Sequence, residues 1–202
     1  DPSLSKGIRL SKEVYVQVLG PDSVRLRFET LQDLELLLVI TDPAGVQTEI
    51  QPERSVATLN YEWNYIADND LVEGQGDVAG VHILHTVLLT ELTPGSRYHW
   101  VVHRGEGAST SGSFRAPPGP EEAFRIGWLS DTMTVITTTP INGLAAKEPD
   151  VVIHGGDLVY QSHIYETWVE FSRAMAPLTH QAAFMPCVGN HEFESMNEEV
   201  EM

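Results

Sequence analysis

The chain has 202 residues, 42% of them apolar, and carries a net charge of −17. This length suits one large domain or two small ones with a packed core, and no apolar run approaches the ~20 residues of a membrane-spanning helix. The acidic excess, 13 acidic against 3 basic residues from Glu121 onward, repels a phosphate backbone and excludes nucleic acid held through a basic patch; most of these charges read as solvated surface able to attract cations.

The chain opens Asp-Pro-Ser-Leu, without a basic segment followed by an apolar one. Residues 13–116 read as β structure. Val14, Val16 and Val18 alternate with polar residues, and Val24, Leu26 and Phe28 alternate with Arg25 and Arg27, the period-2 pattern of half-buried strands. Further strands fit 33–41, 44–50, 81–90, 97–103 and 110–116, with turns at Gly20-Pro21-Asp22, Asp42-Pro43 and Pro94-Gly95. About seven such strands predict a β-sandwich. The stretch Leu89–Tyr98 resembles a fibronectin type III or immunoglobulin-like corner, in which a Tyr, here Tyr98, ties back to upstream backbone. The acidic segment 52–80 is too long for a tight connection and is expected to be an ordered excursion or flap. Within it Gly74–Ala79 matches a dinucleotide loop only by spelling, since an acidic loop precedes it and a strand follows. His82, His85, His99 and His103 are expected at the surface.

Ala116–Glu122 is a linker by composition, because its prolines exclude both sheet and helix. After it the period changes. Ala123–Leu129, Val151–Ile153 and Phe184–Val188 are short, nearly continuous apolar runs, which suit strands buried on both faces. Between them Ile141–Lys147 can form two helical turns, and Tyr165–Met175 places Trp168, Phe171 and Met175 on one helical face. Strand, helix, strand, helix, strand predicts right-handed crossovers and a parallel sheet. The lone cysteine, Cys187, excludes an internal disulfide and a cysteine-based zinc cluster, and in its apolar run it is expected to be buried.

Each of the three runs ends in polar residues: Ser130-Asp131-Thr132, Gly155-Gly156-Asp157-Leu158-Val159-Tyr160 and Gly189-Asn190-His191-Glu192. Ligands of open α/β sheets bind outside the carboxyl ends of strands, so Asp131, Asp157, Asn190 and His191 should converge on one edge. Two carboxylates, an amide oxygen and an imidazole suit a hard or borderline metal ion. One carboxylate can bridge two ions, as two-metal hydrolases require.

Gly156-Asp157-Leu158-Val159-Tyr160 and Gly189-Asn190-His191-Glu192 match the G-D-x-x-Y and G-N-H-E motifs, and with the Asp131 strand end they resemble the calcineurin-like metallophosphoesterases. The Tyr, the terminal Glu and the preceding sandwich resemble the purple acid phosphatase branch. Most of the superfamily has D-x-H at the first motif. This chain has Asp131-Thr132-Met133, and the purple acid phosphatase pattern, D-x-G, recruits the motif Tyr instead; Met133 departs from that Gly. The resemblance implies Fe(III) held by Asp131 and Tyr160, a bridging Asp157, and a divalent ion (Zn, Fe or Mn) on Asn190. It implies that Asn190 and His191 contact substrate phosphate, with His191 as the catalytic residue helping the leaving group depart and a metal-bound hydroxide attacking phosphorus. The implied fold is an N-terminal all-β sandwich of fibronectin type III or immunoglobulin-like type over 1–118, a linker at 119–122, and the first half of an α/β metallophosphoesterase domain in βαβαβ order over 123–202.

The family completes its site with three histidines from later V-x-x-H and G-H-x-H motifs. The chain ends ten residues after Glu192, so it is expected to stop before the second half, to bind metal weakly with little turnover, and to leave one apolar edge of the parallel sheet open. His154 is expected in the core or behind the ligands, and His163 and His180 in exposed loops. The expected activity of the longer protein is phosphate monoester hydrolysis. The alternatives are phosphodiester or nucleotide hydrolysis at the same site, and a non-catalytic sandwich binding module with a remnant phosphoesterase half, which Met133 alone favours. Expected partners are a small phosphorylated substrate and, for assembly, a homodimer; the implied location is secreted or periplasmic. No Asn-x-Ser/Thr sequon occurs, so N-glycosylation is not expected.

Overall fold

The computed structural model describes residues 10–59, 62–67, 70–75, 80–103, 109–132, 138–160, 162 and 164–194. Met133, His163 and residues 76–79 of the glycine-rich stretch lie outside the described residues.

The first ten strands are β1 (Leu10–Gly20), β2 (Ser23–Thr30), β3 (Leu37–Thr41), β4 (Gln47–Ile50), β5 (Glu53–Leu59), β6 (Glu62–Ala67), β7 (Asp70–Gln75), β8 (Gly80–Leu89), β9 (Arg97–His103) and β10 (Ser109–Arg115). β1, β2, β8 and β5 lie side by side in that order, and β10, β9, β3 and β4 form a second sheet. The alternating apolar residues of both sheets meet in one core. Val14, Val16, Val24, Leu26 and Phe28 come from the first sheet, and Leu38, Ile40, Trp100, Val102 and Phe114 from the second. Burying each such side chain stabilises the fold by roughly 1.5–3 kcal/mol. Tyr98 is buried, and its hydroxyl oxygen accepts the Thr93 backbone N–H at 3.0 Å, which closes the corner before β9. The described part of the 52–80 excursion is three strands: β5 extends the first sheet beside β8, and β6 and β7 form a separate ribbon.

No strand or helix crosses 116–122. Then come β11 (Ile126–Leu129), α1 (Thr138–Ala145), β12 (Val151–His154), α2 (Tyr165–Thr179), β13 (Ala183–Pro186) and the short α3 (His191–Glu194). β11, β12 and β13 pair in parallel. Pro140 falls in the first turn of α1, where a backbone N–H has no intrahelical partner to lose. α2 runs past Met175 to Thr179 and buries Val169, Phe171, Met175 and Leu178. Phe171, Met175 and Leu178 pack with Ile141 of α1, Val152 and Phe184 into a second core. The helices therefore cover one face of the parallel strands. Ile126, Trp128 and Met185, on the other face, are exposed, unlike the two-sided burial that the apolar runs suggested.

The parallel strands keep one open edge, at β11, and the edge at β13 is covered. β13 pairs in parallel with β1 at Ala183 and Val16, so one seven-stranded sheet runs β11-β12-β13-β1-β2-β8-β5. β1 supplies the neighbour that β13 would otherwise lack, and β11 is the outer strand. Arg115 ties the linker down on the other side. Its guanidinium donates to the carbonyls of Gly95 and Ala123 and to the carboxylates of Glu122 and Asp150.

The expectations for four single residues fail. His82 and His85 are buried, at 3% and 1% exposure. Ile83, His85, Val87 and Leu89 of β8 are buried on one face, and Tyr165 at the start of α2 covers His82 on the other. His180 is half-buried at the end of α2, edge-on to Trp100 and 3.3 Å from Glu13. Cys187 is exposed, because it lies one residue past the end of β13.

Candidate metal centre

The strand ends are built from left-handed residues. Asp131 (φ 54°) follows β11 by two residues, and Asp157 (φ 52°) follows β12 by three. Asp is among the few side chains that tolerate this region. Two bonds lace the turns together: Asp131 N–H to Gly156 O at 3.1 Å and Thr132 N–H to Asp157 O at 3.0 Å. Gly189 presses against the same place. A Cβ on it would lie 2.1 Å from Asp157 Oδ1 and 2.4 Å from the Asp157 backbone nitrogen, so only glycine lets the third loop approach the second.

His154, fully buried, stands beneath these loops. Its Nδ1 accepts the Gly156 N–H at 3.2 Å. Its Nε2 then carries the proton and donates to Thr132 Oγ1 at 3.1 Å, whose hydroxyl donates to Leu158 O at 2.8 Å. Burial pushes the His154 pKa down, against the pull of the Glu192, Asp131 and Asp157 carboxylates. The ring is thus a neutral strut between the first two loops, which accords with the expectation of a residue behind the ligands.

Glu192 was read from sequence only as the end of a motif, yet it is the main clamp of the site. Oε2 accepts the N–H groups of Asp157 (3.0 Å) and Gly189 (2.6 Å), and Oε1 those of Leu158 (2.7 Å) and Val159 (3.3 Å). Charge-assisted bonds of this kind are roughly twice as strong as neutral ones. A carboxylate one residue after an Asn-His pair, within reach of an Asp loop, was the only sequence signal for it.

The clamp brings together most of the expected residues. The His191 N–H donates to Asp157 Oδ1 at 3.0 Å, and the His191 ring lies 4.3 Å from the Tyr160 ring. Burial, then the charges of Asp131 and Asp157, push the Tyr160 phenol above its ordinary pKa, so without a nearby cation this phenol stays protonated. Asp131 and Asn190 are exposed, and Asn190 opens α3 by accepting the Phe193 N–H at 2.9 Å. Among the described residues no group of three or more His, Cys, Asp or Glu is drawn close enough to hold a metal ion. Two carboxylates, a phenol and an amide are nonetheless hard oxygen donors, and they fit a trivalent or hard divalent ion in chemistry. One bond to Asp157 still leaves its carboxylate lone pairs for cations.

The calcineurin-like phosphoesterase profile matches residues 84–201 of the chain. Purple acid phosphatase 23 of Arabidopsis thaliana is 32% identical over 76% of this chain and 41% of its own length. A second protein of that plant, called probable purple acid phosphatase 20, is 25% identical over 91% of the chain and 39% of its own length. The chain thus spans about two fifths of these relatives. In fold it is similar to a purple acid phosphatase from yellow lupin (Lupinus luteus) seeds, with a TM-score of 0.66 at 19% identity over 89% of this chain and 35% of that one. It is also similar to PhoD, with a TM-score of 0.60 at 14% identity over 96% and 41%. With its motif loops gathered at the ends of parallel strands, the chain belongs to the calcineurin-like phosphoesterase family and is of the purple acid phosphatase-like kind.

Proposed function

We propose that the chain carries one half of the dinuclear metal site of a phosphatase, and that the longer protein hydrolyses small phosphate monoesters. The observation that supports this reading is the Glu192 clamp, which ties the Asp157 loop to the His191 turn; the His191 ring lies 4.3 Å from Tyr160, and the Asp131 N–H donates to Gly156 O beside Asp157. In this reading Asp131, Asp157 and Tyr160 would hold Fe(III), and Asp157 and Asn190 would hold a divalent ion such as Zn, Fe or Mn. The relatives' later histidine motifs would complete the set. When bound, the ions supply Lewis-acid neutralisation of the phosphate charge and activation of water.

The chain's own residues do the positioning. Glu192 fixes the backbone of Asp157, Leu158 and Val159. The His191 N–H orients Asp157 through Oδ1. Asn190 and the His191 side chain face the phosphate, and His191 protonates the departing oxygen. The domain division at 119–122 and a fibronectin type III-like character for the sandwich belong to the same proposal, supported by the two sheet orders and the Tyr98 corner. Secretion is proposed on the resemblance alone.

The test is optical. Fe(III) added to the purified chain should give a visible phenolate-to-iron absorption band, and Tyr160→Phe should abolish it. A band that survives Tyr160→Phe, or no band in the parent chain at saturating Fe(III), would sink the ligand assignment.

A further inference from the structure

A buried polar cluster outside the site lies where the first sheet meets α2. Glu29 of β2 is 7% exposed. Its Oε1 accepts Ser11 Oγ (2.8 Å) from β1, His82 Nδ1 (2.8 Å) from β8 and the Tyr165 hydroxyl (2.5 Å) from α2. Lys12 Nζ lies 3.4 Å from Oε2 and 4.4 Å above the Tyr165 ring, and the His82 ring meets that ring edge-on. Burial alone would raise the Glu29 pKa; the bonds from Tyr165, His82 and Ser11 and the charge of Lys12 outweigh it and hold the carboxyl below its usual range. A charge this enclosed is costly unless its partners are all in place, so the cluster fixes one seating of α2 on the sheet.

From Tyr165 a continuous set of contacts reaches the site. Trp168, in the next turn of α2, donates its Nε1–H to Ser162 O at 2.9 Å. Ser162 Oγ donates to His191 O at 2.8 Å. The His191 N–H holds Asp157 Oδ1, and its ring lies on Tyr160. β13, which leads into the Asn190 loop, is itself paired to β1. We infer that the sandwich is a scaffold for the site loops, and that Glu29 and Tyr165 are positioning residues through which it holds Asp157, Tyr160 and His191 in register. This inference takes from the proposed function only which loops form the site, and it does not depend on metal or turnover.

Amide hydrogen exchange, resolved by residue on the 202-residue chain and on two variants, decides it. Tyr165→Phe removes only a hydroxyl; Glu29→Gln keeps the shape and an acceptor oxygen but removes the charge. The Asp157, Leu158, Val159, Gly189 and His191 amides should exchange roughly tenfold faster in Tyr165→Phe, the scale of losing one bond to a charged group, and by a smaller factor in Glu29→Gln. The Trp100 and Val102 amides of β9 should keep their parent rates. Unchanged site-loop amides in Tyr165→Phe would overturn the inference, and so would an equal acceleration in β9, which reports only lost global stability. Should Tyr165→Phe fail to fold, the same comparison on Glu29→Gln stands, with the same two overturning results. Absence of an iron band in the parent chain would count against the proposed ligands and leave this inference intact.

Discussion

At the scale of single residues, the histidines show how far a side chain's neighbours are hidden from a linear reading. Period-2 alternation puts His82 and His85 on opposite faces of β8 and says nothing of what covers each face. His85 stacks on Phe28 with ring centroids 4.7 Å apart, and its Nε2 lies 2.9 Å from Thr30 Oγ1. Burial, then the charge of Arg54, lowers its pKa to about 4. The sign of the linkage follows. Above the unfolded value of about 6.5 the ring is neutral in both states and the shift has no effect on stability. Below it the unfolded chain takes up a proton that the folded chain refuses, so stability falls as pH drops from about 6.5 toward about 4. The expected loss from this one ring is roughly 2–3 kcal/mol between pH 7 and pH 4.5, from the slope of ~1.36 kcal/mol per pH unit. Urea unfolding of the parent and of His85→Phe, which keeps the stack and cannot titrate, should show that much less acid sensitivity in the variant. Equal sensitivity would mean that His85 protonates without unfolding.

At the scale of elements, what could be read in the sequence was what each segment carries within itself. The strands of the first sheet follow from Val14, Val16, Leu26 and Phe28, and α2 from the spacing of Trp168, Phe171 and Met175. Asp131, Asp157, Asn190 and His191 were readable as strand-end residues because each follows a short apolar run, and parallel strands put such ends at one edge; Tyr160 entered only through its motif. What escaped depends on partners far along the chain. The Glu192 clamp joins residues 33 to 35 apart, and the Glu29–Tyr165 bond joins residues 136 apart. Trp128 and Cys187 sit in apolar runs and still reach solvent, since a run does not say which of its faces a helix will cover. The Tyr98 corner is a local device and was legible. Its single bond, Thr93 N–H to the phenol oxygen, makes Tyr98→Phe a clean removal, because the ring still stacks on Phe114 at 5.6 Å. We expect Tyr98→Phe to cost about 1–2 kcal/mol in urea unfolding, since the partly buried Thr93 N–H loses its acceptor. A cost near zero would mean that another acceptor replaces the phenol.

At the scale of the whole molecule, a proline-rich linker between a β region and an α/β region suggests two bodies free to move, and relative motion is the default where an interface is small and polar. Three connections oppose it here. β13 and β1 share one sheet, Arg115 spans the linker, and the enclosed Glu29 carboxylate is satisfied only when α2 is docked. Undocking would expose the charge cluster and the β13 edge together, so the two cores should lose structure in one step and not in sequence. Tryptophan fluorescence can separate them. Trp100 is fully buried in the first core and Trp168 packs on the second. In urea, with Trp63 and Trp128 already replaced by Phe, Trp100→Phe and Trp168→Phe each leave a single reporter, and each remaining signal should be compared with far-ultraviolet circular dichroism of the same variant. The midpoints should coincide within each variant. A Trp168 signal lost at clearly lower urea than the β signal would show an α/β part that melts off an intact β part. In that event the sheet joint and the Glu29 cluster would be too weak to make the β part a support for the site.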